Sequence, residues 1–302
     1  MGIASREPLF GLDANLLLPR PSGGTNSLLA LTNALGLAPP PPHPRPMTPD
    51  EYLHSVLARE AVDSGLFSPV RSVQATLQPI LSVWANKYLI GIHPSGSFAK
   101  GTANKSGTDI DLFISLSDST PETLKQIYDL LFKWMRDAGY TPKRQNVSIN
   151  VNVGGFDVDL VPARLQNALQ NDHSLYRRKA DTWTKTNVIT HIHHIALSGR
   201  QSEIRTLKLW RNQKRFDFPS FYLEMTVLAA LKGRHMVPFS TLADNVWTVL
   251  VYLRDTFPNA RVVDPANTSN VISDDLTVAE KLTIKAAAER ALSAKYWNEI
   301  VV

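Results

Sequence analysis

Two aspartates one residue apart, Asp109 and Asp111, form the pair whose spacing points most directly to chemistry. Residues 108–116 carry apolar side chains at 110, 112, 114 and 116, which predicts a strand with both aspartates on its opposite face. Two ionised carboxylates about 4 Å apart repel by about 4 kcal/mol at an effective dielectric constant of about 20. A divalent cation removes that cost, and carboxylate oxygens favour Mg²⁺ or Mn²⁺. The alternative is a solvent-facing strand with two incidental aspartates.

A turn rich in glycine and serine precedes this pair. Gly96 and Gly101 have no Cβ, so backbone N–H groups there can approach phosphate oxygens, and the Ser97 hydroxyl adds a donor. If a short helix begins near Ser97, its N-terminal N–H groups also favour an anion. A Gly-Ser pair by itself is commonly only a turn. Together with Asp109 and Asp111, it predicts a site for metal-dependent nucleotidyl transfer.

A third carboxylate is expected from a neighbouring strand. Residues 147–162 alternate on both sides of Gly154-Gly155, which predicts a hairpin. Asp157 and Asp159 share one face of its second strand. If this hairpin pairs beside the first strand, one of the two completes the site, and spacing alone does not decide which.

Four stretches taken together resemble the polymerase-β-type nucleotidyltransferases. More narrowly, they resemble the bacterial cGAS/DncV-like group (CD-NTases), relatives of the animal oligoadenylate synthases. The resemblance extends over about residues 50–300 of the chain. The stretches are Gly96-Ser97 with Gly101-Thr102 and Asp109-Ile110-Asp111; Val158-Asp159-Leu160-Val161-Pro162-Ala163; Arg205-Thr206-Leu207-Lys208-Leu209-Trp210 before Phe218-Pro219-Ser220-Phe221-Tyr222-Leu223-Glu224; and Val263-Asp264-Pro265-Ala266-Asn267 with Asn270.

The resemblance implies roles for individual residues. It makes Asp159 the third metal carboxylate, with Asp157 as the alternative. It places Lys208 at the triphosphate, although a lysine reaching out from a solvated helix face is the simpler interpretation. It places Ser220 at the donor nucleotide, where the residue also suits a helix cap. Asp264 either meets a base or only opens a turn.

The implied fold class is α+β: a polymerase-β-like nucleotidyltransferase core with a mixed sheet, packed against a C-terminal helical domain. The implied reaction is transfer on two Mg²⁺ or Mn²⁺ ions, which makes a cyclic di- or oligonucleotide messenger from NTPs with release of pyrophosphate. The alternatives are a linear oligonucleotide synthase or an RNA 3′-end nucleotidyltransferase. A binding module without activity is disfavoured because all three aspartates are intact.

The implied partners are ATP and/or GTP as substrates, together with ancillary and effector proteins of bacterial anti-phage (CBASS) signalling. No stable nucleic-acid partner is expected. The chain has 302 residues, a net charge of +5 and no cysteine, which excludes disulfide scaffolds and thiol nucleophiles. We find neither a signal peptide nor a stretch of roughly 18 apolar residues, so we expect a cytoplasmic protein without a membrane partner.

The proline-rich run and the change from strand to helix patterns predict three parts: a proline-rich extension at 1–47, a catalytic core at 48–164 and a helical domain at 165–302 that closes the nucleotide cleft. Thr48 and Thr120 are predicted to begin helices, and Pro162 to end the pairing of the second hairpin strand. Other predicted helices lie near 28–35, 69–86, 165–170, 187–198, 200–214, 219–232, 239–257 and 276–299, and a strand is predicted at 88–92.

His191 and His194 lie three residues apart and could share a helix face, yet no cysteine or nearby carboxylate completes a zinc site. We therefore expect structural or exposed histidines. Tyr176 and Trp183 could stack on a base, although burial is the commoner fate of aromatic side chains.

Overall fold

The computed structural model describes residues 45–63, 65, 68–107, 109–234 and 240–302. Most of the proline-rich extension predicted at 1–47, with its helix near 28–35, lies outside the described residues. So does Thr108, the first residue of the predicted aspartate strand.

A mixed sheet forms the centre of the first half. Within the described residues it has seven strands, in the order β1-β2-β5-β4-β3, with β6 on the far part of β5 and β7 beside β6. Only the β2–β5 pair is parallel among the strand pairs of the described residues. The strands are β1 (Leu89–Pro94), β2 (Ile110–Leu116), β3 (Lys143–Arg144), β4 (Ile149–Val153), β5 (Phe156–Asn167), β6 (Asp172–Arg177) and β7 (Thr182–Thr186).

The described residues of the first half of the chain form four α-helices, and two of them start at a capping box. Thr48 begins the first helix as predicted, and it forms a capping box with Glu51. A second box uses Thr123 with Gln126, so the start predicted at Thr120 is wrong by three residues. The helices of this half are α1 (Pro49–Arg59), α2 (Pro69–Ala85), α3 (Gly96–Lys100) and α4 (Leu124–Asp137).

The second half is largely helical and has its own apolar core. Trp210, Phe218, Tyr222 and Phe257 are among its largest buried side chains. No helix in the described ranges is long and apolar enough to cross a membrane. The elements are α5 (Val188–Ala196), α6 (Gln201–Lys214), α7 (Ser220–Ala230), α8 (Leu242–Asp255), β8 (Val263–Asp264), β9 (Asn267–Val271), α9 (Val278–Leu292) and α10 (Trp297–Ile300).

The strand β5 corrects one prediction and limits another. The helix expected at 165–170 is wrong, because β5 continues to Asn167. Pairing within the hairpin ends before Pro162, as predicted, but the parallel pairing continues past it, since this residue lies opposite Ile114 of β2. On its other side, pairing with β4 ends at Leu160 and pairing with β6 starts at Arg164, so a proline between them interrupts neither ladder.

The packing of the elements favours a boundary between the two parts of the chain that differs from the one predicted at residue 164. The sheet continues to Thr186. Leu53, Val56 and Leu57 of α1 pack in the core of the helical half, whereas α2 packs on the sheet. We therefore propose that the catalytic part ends near residue 186 and that α1 belongs with the helical part.

Candidate active site

A cleft of about 400 Å³ lies between the sheet and the helical half. It brings together seven of the eight predicted site residues, and Asp264 is not among its lining residues. Its walls are Gly96, Ser97, Lys100, Asn104, Gly107, Asp109, Asp111, Asp159, Lys208, Arg211, Asn212, Ser220, Phe221 and Glu224.

The parallel pairing of β2 and β5 places the acidic residues. Asp111 lies directly opposite Asp159, and Asp109 directly precedes β2. Successive side chains alternate across a strand, so Asp109 and Asp111 share a face. Asp159 lines the cleft, whereas the exposed Asp157 is not among the lining residues. The register therefore favours Asp159 as the third carboxylate.

These carboxylates oppose one another's ionisation. Burial, and then the charge of Asp159, raises the pKa of Asp111 to about 7. The same two causes raise the pKa of Asp109. Burial also raises the pKa of Asp159, against hydrogen bonds that favour its ionised form. Lys100 and Lys208 form their ion pairs with Glu224 and not with these aspartates. An uncompensated group of hard oxygen donors suits a divalent cation.

Hydrogen bonds hold the Asp159 carboxylate in place. Its Oδ1 accepts from Gln145 Nε2 at 3.0 Å and from Asn150 Nδ2 at 2.9 Å, and its Oδ2 accepts from Ser148 Oγ at 3.3 Å. In the described part of the chain, no group of three or more histidine, cysteine, aspartate or glutamate side chains is placed so that it could hold a metal ion. The metal role of Asp109, Asp111 and Asp159 therefore stays a prediction.

The glycine turn packs directly against this acidic strand. Gly96 has φ +58°, and a Cβ on it would overlap the Asp111 carboxylate. Only glycine meets both demands. The backbone of Ser95 also donates to the Asp111 carbonyl at 2.8 Å, and α3 begins at Gly96, as the anion-site hypothesis required. Gly96 and Ser97 therefore line the cleft beside the carboxylates.

A buried ionic cluster forms the opposite wall. Lys208 Nζ donates to Glu224 Oε1 at 2.7 Å and to Thr102 Oγ1 at 2.9 Å, and Lys100 Nζ donates to Glu224 Oε2 at 2.8 Å. Thr102 Oγ1 in turn donates to Glu224 Oε1 at 3.1 Å. The predicted alternative of a solvated Lys208 is wrong, because its side chain is only 6% exposed. Sequence reasoning gave no role to Glu224, since the pairing depends on long-range contact.

Arg211 and Ser220 meet at the rim of the cleft. Arg211 Nη1 donates to Ser220 Oγ at 2.9 Å and to the Phe218 carbonyl at 2.7 Å. Ser220 is the first residue of α7, and Pro219 is the cap, so the helix-cap interpretation of Ser220 is wrong by one residue. Its hydroxyl remains at the cleft wall, where the donor-nucleotide prediction requires it.

Asp264 lies behind the cleft and is held by three donors. Its carboxylate accepts from His191 Nε2 at 2.7 Å, from the Ala266 amide at 2.8 Å and from Asn270 Nδ2 at 3.1 Å. Burial opposes ionisation and is the largest single effect, but the hydrogen bond and charge of His191, together with the hydrogen bonds from Ala266 and Asn270, outweigh it and lower the pKa of Asp264. His191 packs on Phe221 with a 4.4 Å ring separation, and Phe221 lines the cleft. Asp264 therefore reaches the cleft wall through His191 and Phe221, consistent with a structural His191.

The aromatic pair upstream of α5 does not form a common platform. Tyr176 is buried and its hydroxyl donates to Asp181, whereas Trp183 is 56% exposed. Neither side chain lines the cleft.

Comparisons with known proteins agree with this geometry. A family model described as a nucleotidyltransferase domain matches residues 80–189. Over 260 residues the chain is 26% identical to the cyclic AMP-AMP-AMP synthase of Escherichia coli (strain MS 115-1), covering 76% of this chain and 80% of that protein.

Solved structures give the same picture. The E. coli MS115-1 CdnC in complex with HORMA-deltaN matches with TM-score 0.61 and 26% identity, over 75% of this chain and 82% of that one. The CD-NTase CdnG of Bradyrhizobium diazoefficiens, in complex with GTP, matches with TM-score 0.64 and 14% identity, over 81% of this chain and 91% of that one. The second likeness concerns the fold alone. The α+β fold class and the resemblance to CD-NTases are confirmed.

Proposed function

We propose that this chain, whose residues 80–189 match a nucleotidyltransferase domain, joins NTPs, ATP among them, into a cyclic di- or oligonucleotide and releases pyrophosphate. The observation that carries the proposal is the placement of Asp109, Asp111 and Asp159 in one cleft beside the Gly96 turn. Similarity to a cyclic AMP-AMP-AMP synthase supports the cyclic product.

In the proposed reaction, a ribose hydroxyl oxygen of one nucleotide attacks the α-phosphorus of another. A new P–O bond forms, the α–β phosphoanhydride bond breaks, and pyrophosphate leaves with the bonding electron pair. Asp159 lines the same cleft, and while Gln145 and Asn150 hold its carboxylate it serves as the acceptor of the hydroxyl proton, the alternative to a metal-ligand role. A second transfer within the linear intermediate closes the ring.

The carboxylate oxygens of the cleft have the chemistry that divalent cations prefer. Asp109 and Asp111 would hold two Mg²⁺ or Mn²⁺ ions, with Asp159 as a further ligand to one of them after it turns from its present hydrogen-bond partners. The ions would lower the pKa of the attacking hydroxyl and stabilise charge on the leaving pyrophosphate. The support is the burial of Asp111 beside the charge of Asp159, which together raise its pKa and which a bound cation would offset.

The opposite wall would hold the nucleotide. Lys208 and Lys100 would face the triphosphate, with the backbone of Gly96 and Ser97 on its other side. Ser220 would contact the donor nucleotide at the start of α7. The HORMA complex of the E. coli relative supports an ancillary protein partner for this chain, and a role in anti-phage signalling follows the same resemblance.

The test is product analysis. Purified full-length protein is incubated with all four NTPs and Mg²⁺ or Mn²⁺, treated with phosphatase, and the products are analysed by mass spectrometry. Cyclic products lack terminal phosphates, so they survive with unchanged mass. Linear products, which lose phosphate, would replace the proposal with the linear synthase, and no turnover with any cation would contradict both.

A further inference from the structure

Glu224 is an anionic side chain in the wall that faces the expected triphosphate. It lies at the centre of α7, is fully buried, and lines the cleft with Lys100 and Lys208. A carboxylate here weakens the attraction for phosphate by simple Coulomb repulsion. A carboxylate at this position therefore needs a benefit that offsets the repulsion, and its contacts with the two lysines indicate what that benefit is.

The two lysines come from different halves of the protein. Lys100 ends α3, next to the Gly96 turn, while Lys208 lies inside α6. Each ammonium donates to a different oxygen of Glu224, at 2.8 Å and 2.7 Å respectively. The single carboxylate thus fixes two flexible side chains at a separation set by its own geometry.

Burial makes this support necessary for Lys208. Burial lowers the pKa of Lys208, and the charge of Glu224 opposes that change. Without the carboxylate, a buried ammonium tends to lose its proton and with it the charge that attracts phosphate. Both lysines also act electrostatically on Asp111, and all of these side chains line the same cleft.

We infer that Glu224 is a positioning residue, which holds the ammonium groups of Lys100 and Lys208 toward the triphosphate of the bound NTP. The inference rests on the proposed function for the nature of the ligand. It assigns Glu224 no contact with the nucleotide: its effect on binding passes through the two lysines.

The experiment measures binding without turnover, with the full chain, Mg²⁺ and the α,β-methylene analogue of ATP. Glu224→Gln is expected to raise the Kd for the analogue about tenfold or more and to leave the Kd for AMP within about twofold, since AMP lacks the β- and γ-phosphates. Glu289→Gln, in an exposed pair with Lys285, is the control and should change neither.

A second background separates positioning from a general structural role. In Lys208→Met protein only Lys100 remains for Glu224 to position, so Glu224→Gln should there raise the analogue's Kd by a smaller factor than in the wild-type background. The same loss in both backgrounds, or an equal loss for AMP, would overturn the inference. Thr102→Val removes only the bridging hydroxyl and should give a smaller shift of the same sign, which remains readable if Glu224→Gln does not fold.

Failures of the two proposals differ. Wild-type protein that makes cyclic products while Glu224→Gln binds the analogue normally contradicts only the positioning role. Wild-type protein that binds the analogue through Glu224 but makes no cyclic product contradicts only the proposed function. Wild-type protein that binds no analogue contradicts both.

Discussion

Gly96 lies against the side chain of Asp111 so closely that a Cβ at residue 96 would overlap the carboxylate. The turn that begins α3 and the strand that carries the acidic pair are therefore fitted to each other. This contact joins the phosphate part and the metal part of the candidate site, which the sequence presents as two separate motifs.

Gly96→Ala should abolish nucleotidyl transfer and lower stability, because the new Cβ displaces Asp111. Gly154→Ala is the matched control: its φ of +59° is close to the +58° of Gly96, but a Cβ there meets no atom within 4 Å. It should cost about 1–2 kcal/mol of unfolding free energy and keep full kcat. Thermal unfolding and pyrophosphate release are measured on both. An active Gly96→Ala protein would show that the contact is not needed.

Asp159→Asn should reduce kcat by about 100-fold or more, whereas Asp157→Asn should change it less than about threefold. Both residues belong to the same strand face, but Asp159 lines the cleft opposite Asp111 and Asp157 does not. Steady-state pyrophosphate release decides between them. The reverse ranking would make Asp157 the third carboxylate.

Asp111→Asn should stabilise the metal-free protein at pH 8. The folded pKa of about 7 lies above the ordinary 3.8, so the folded state binds the extra proton and wild-type stability falls as pH rises through that window. Removal of this charge should raise the free energy of unfolding by up to about 4 kcal/mol at pH 8 and should change it little near pH 4. Denaturant unfolding with a chelator at both pH values measures it.

Added Mg²⁺ should stabilise wild-type protein and reduce that advantage of Asp111→Asn at pH 8. Asp137→Asn, at an exposed position on α4, is the control and should show neither effect. An Asp111→Asn protein that is less stable than wild type without divalent cations would contradict the electrostatic account of the site.

Asp264→Asn should lower the free energy of unfolding by about 1–3 kcal/mol at pH 7, since three donors hold the ionised carboxylate. Because folding lowers the pKa of Asp264, its ionised carboxylate stabilises the folded state at pH values above the ordinary carboxyl pKa. This stabilisation is lost as the pH falls through the pKa of the folded state. The penalty should therefore shrink near pH 3.

In a double-mutant cycle of Asp264→Asn and His191→Ala, the losses of unfolding free energy should be non-additive, because the two residues share one hydrogen bond. Unfolding by denaturant gives the coupling energy. If Asp264 instead contacts a base, Asp264→Asn would change the choice among NTPs and leave unfolding unaltered.

The parts of the site that local pattern controls were predictable. Alternation around Asp109 and Asp111 gave their shared face, and the Gly154-Gly155 turn gave the hairpin that places Asp159 beside them. Spacing could not choose between Asp157 and Asp159, because a strand face contains both and only the register with β2 separates them.

Contacts distant in sequence were not predictable in the same way. Glu224 pairs with Lys100, which lies more than a hundred residues away in the sequence, so no local pattern predicts the pair. Residues 182–186 have no alternation of apolar and polar side chains, and the strand β7 was missed for that reason. Asp264 contacts His191, more than seventy residues away in the sequence. Because that contact is not visible in the local sequence, the sequence could not distinguish a turn-forming aspartate from a base-binding one.

Pyrophosphate release by Asp109→Asn/Asp111→Asn protein, compared with wild type in the same Mg²⁺ and NTP mixture, tests the central claim most directly. Asp137→Asn serves as the activity control, and thermal unfolding checks that all three proteins are folded. The proposed mechanism predicts no release above background from the double variant and normal release from the control. Undiminished release from the folded double variant would contradict nucleotidyl transfer at this cleft.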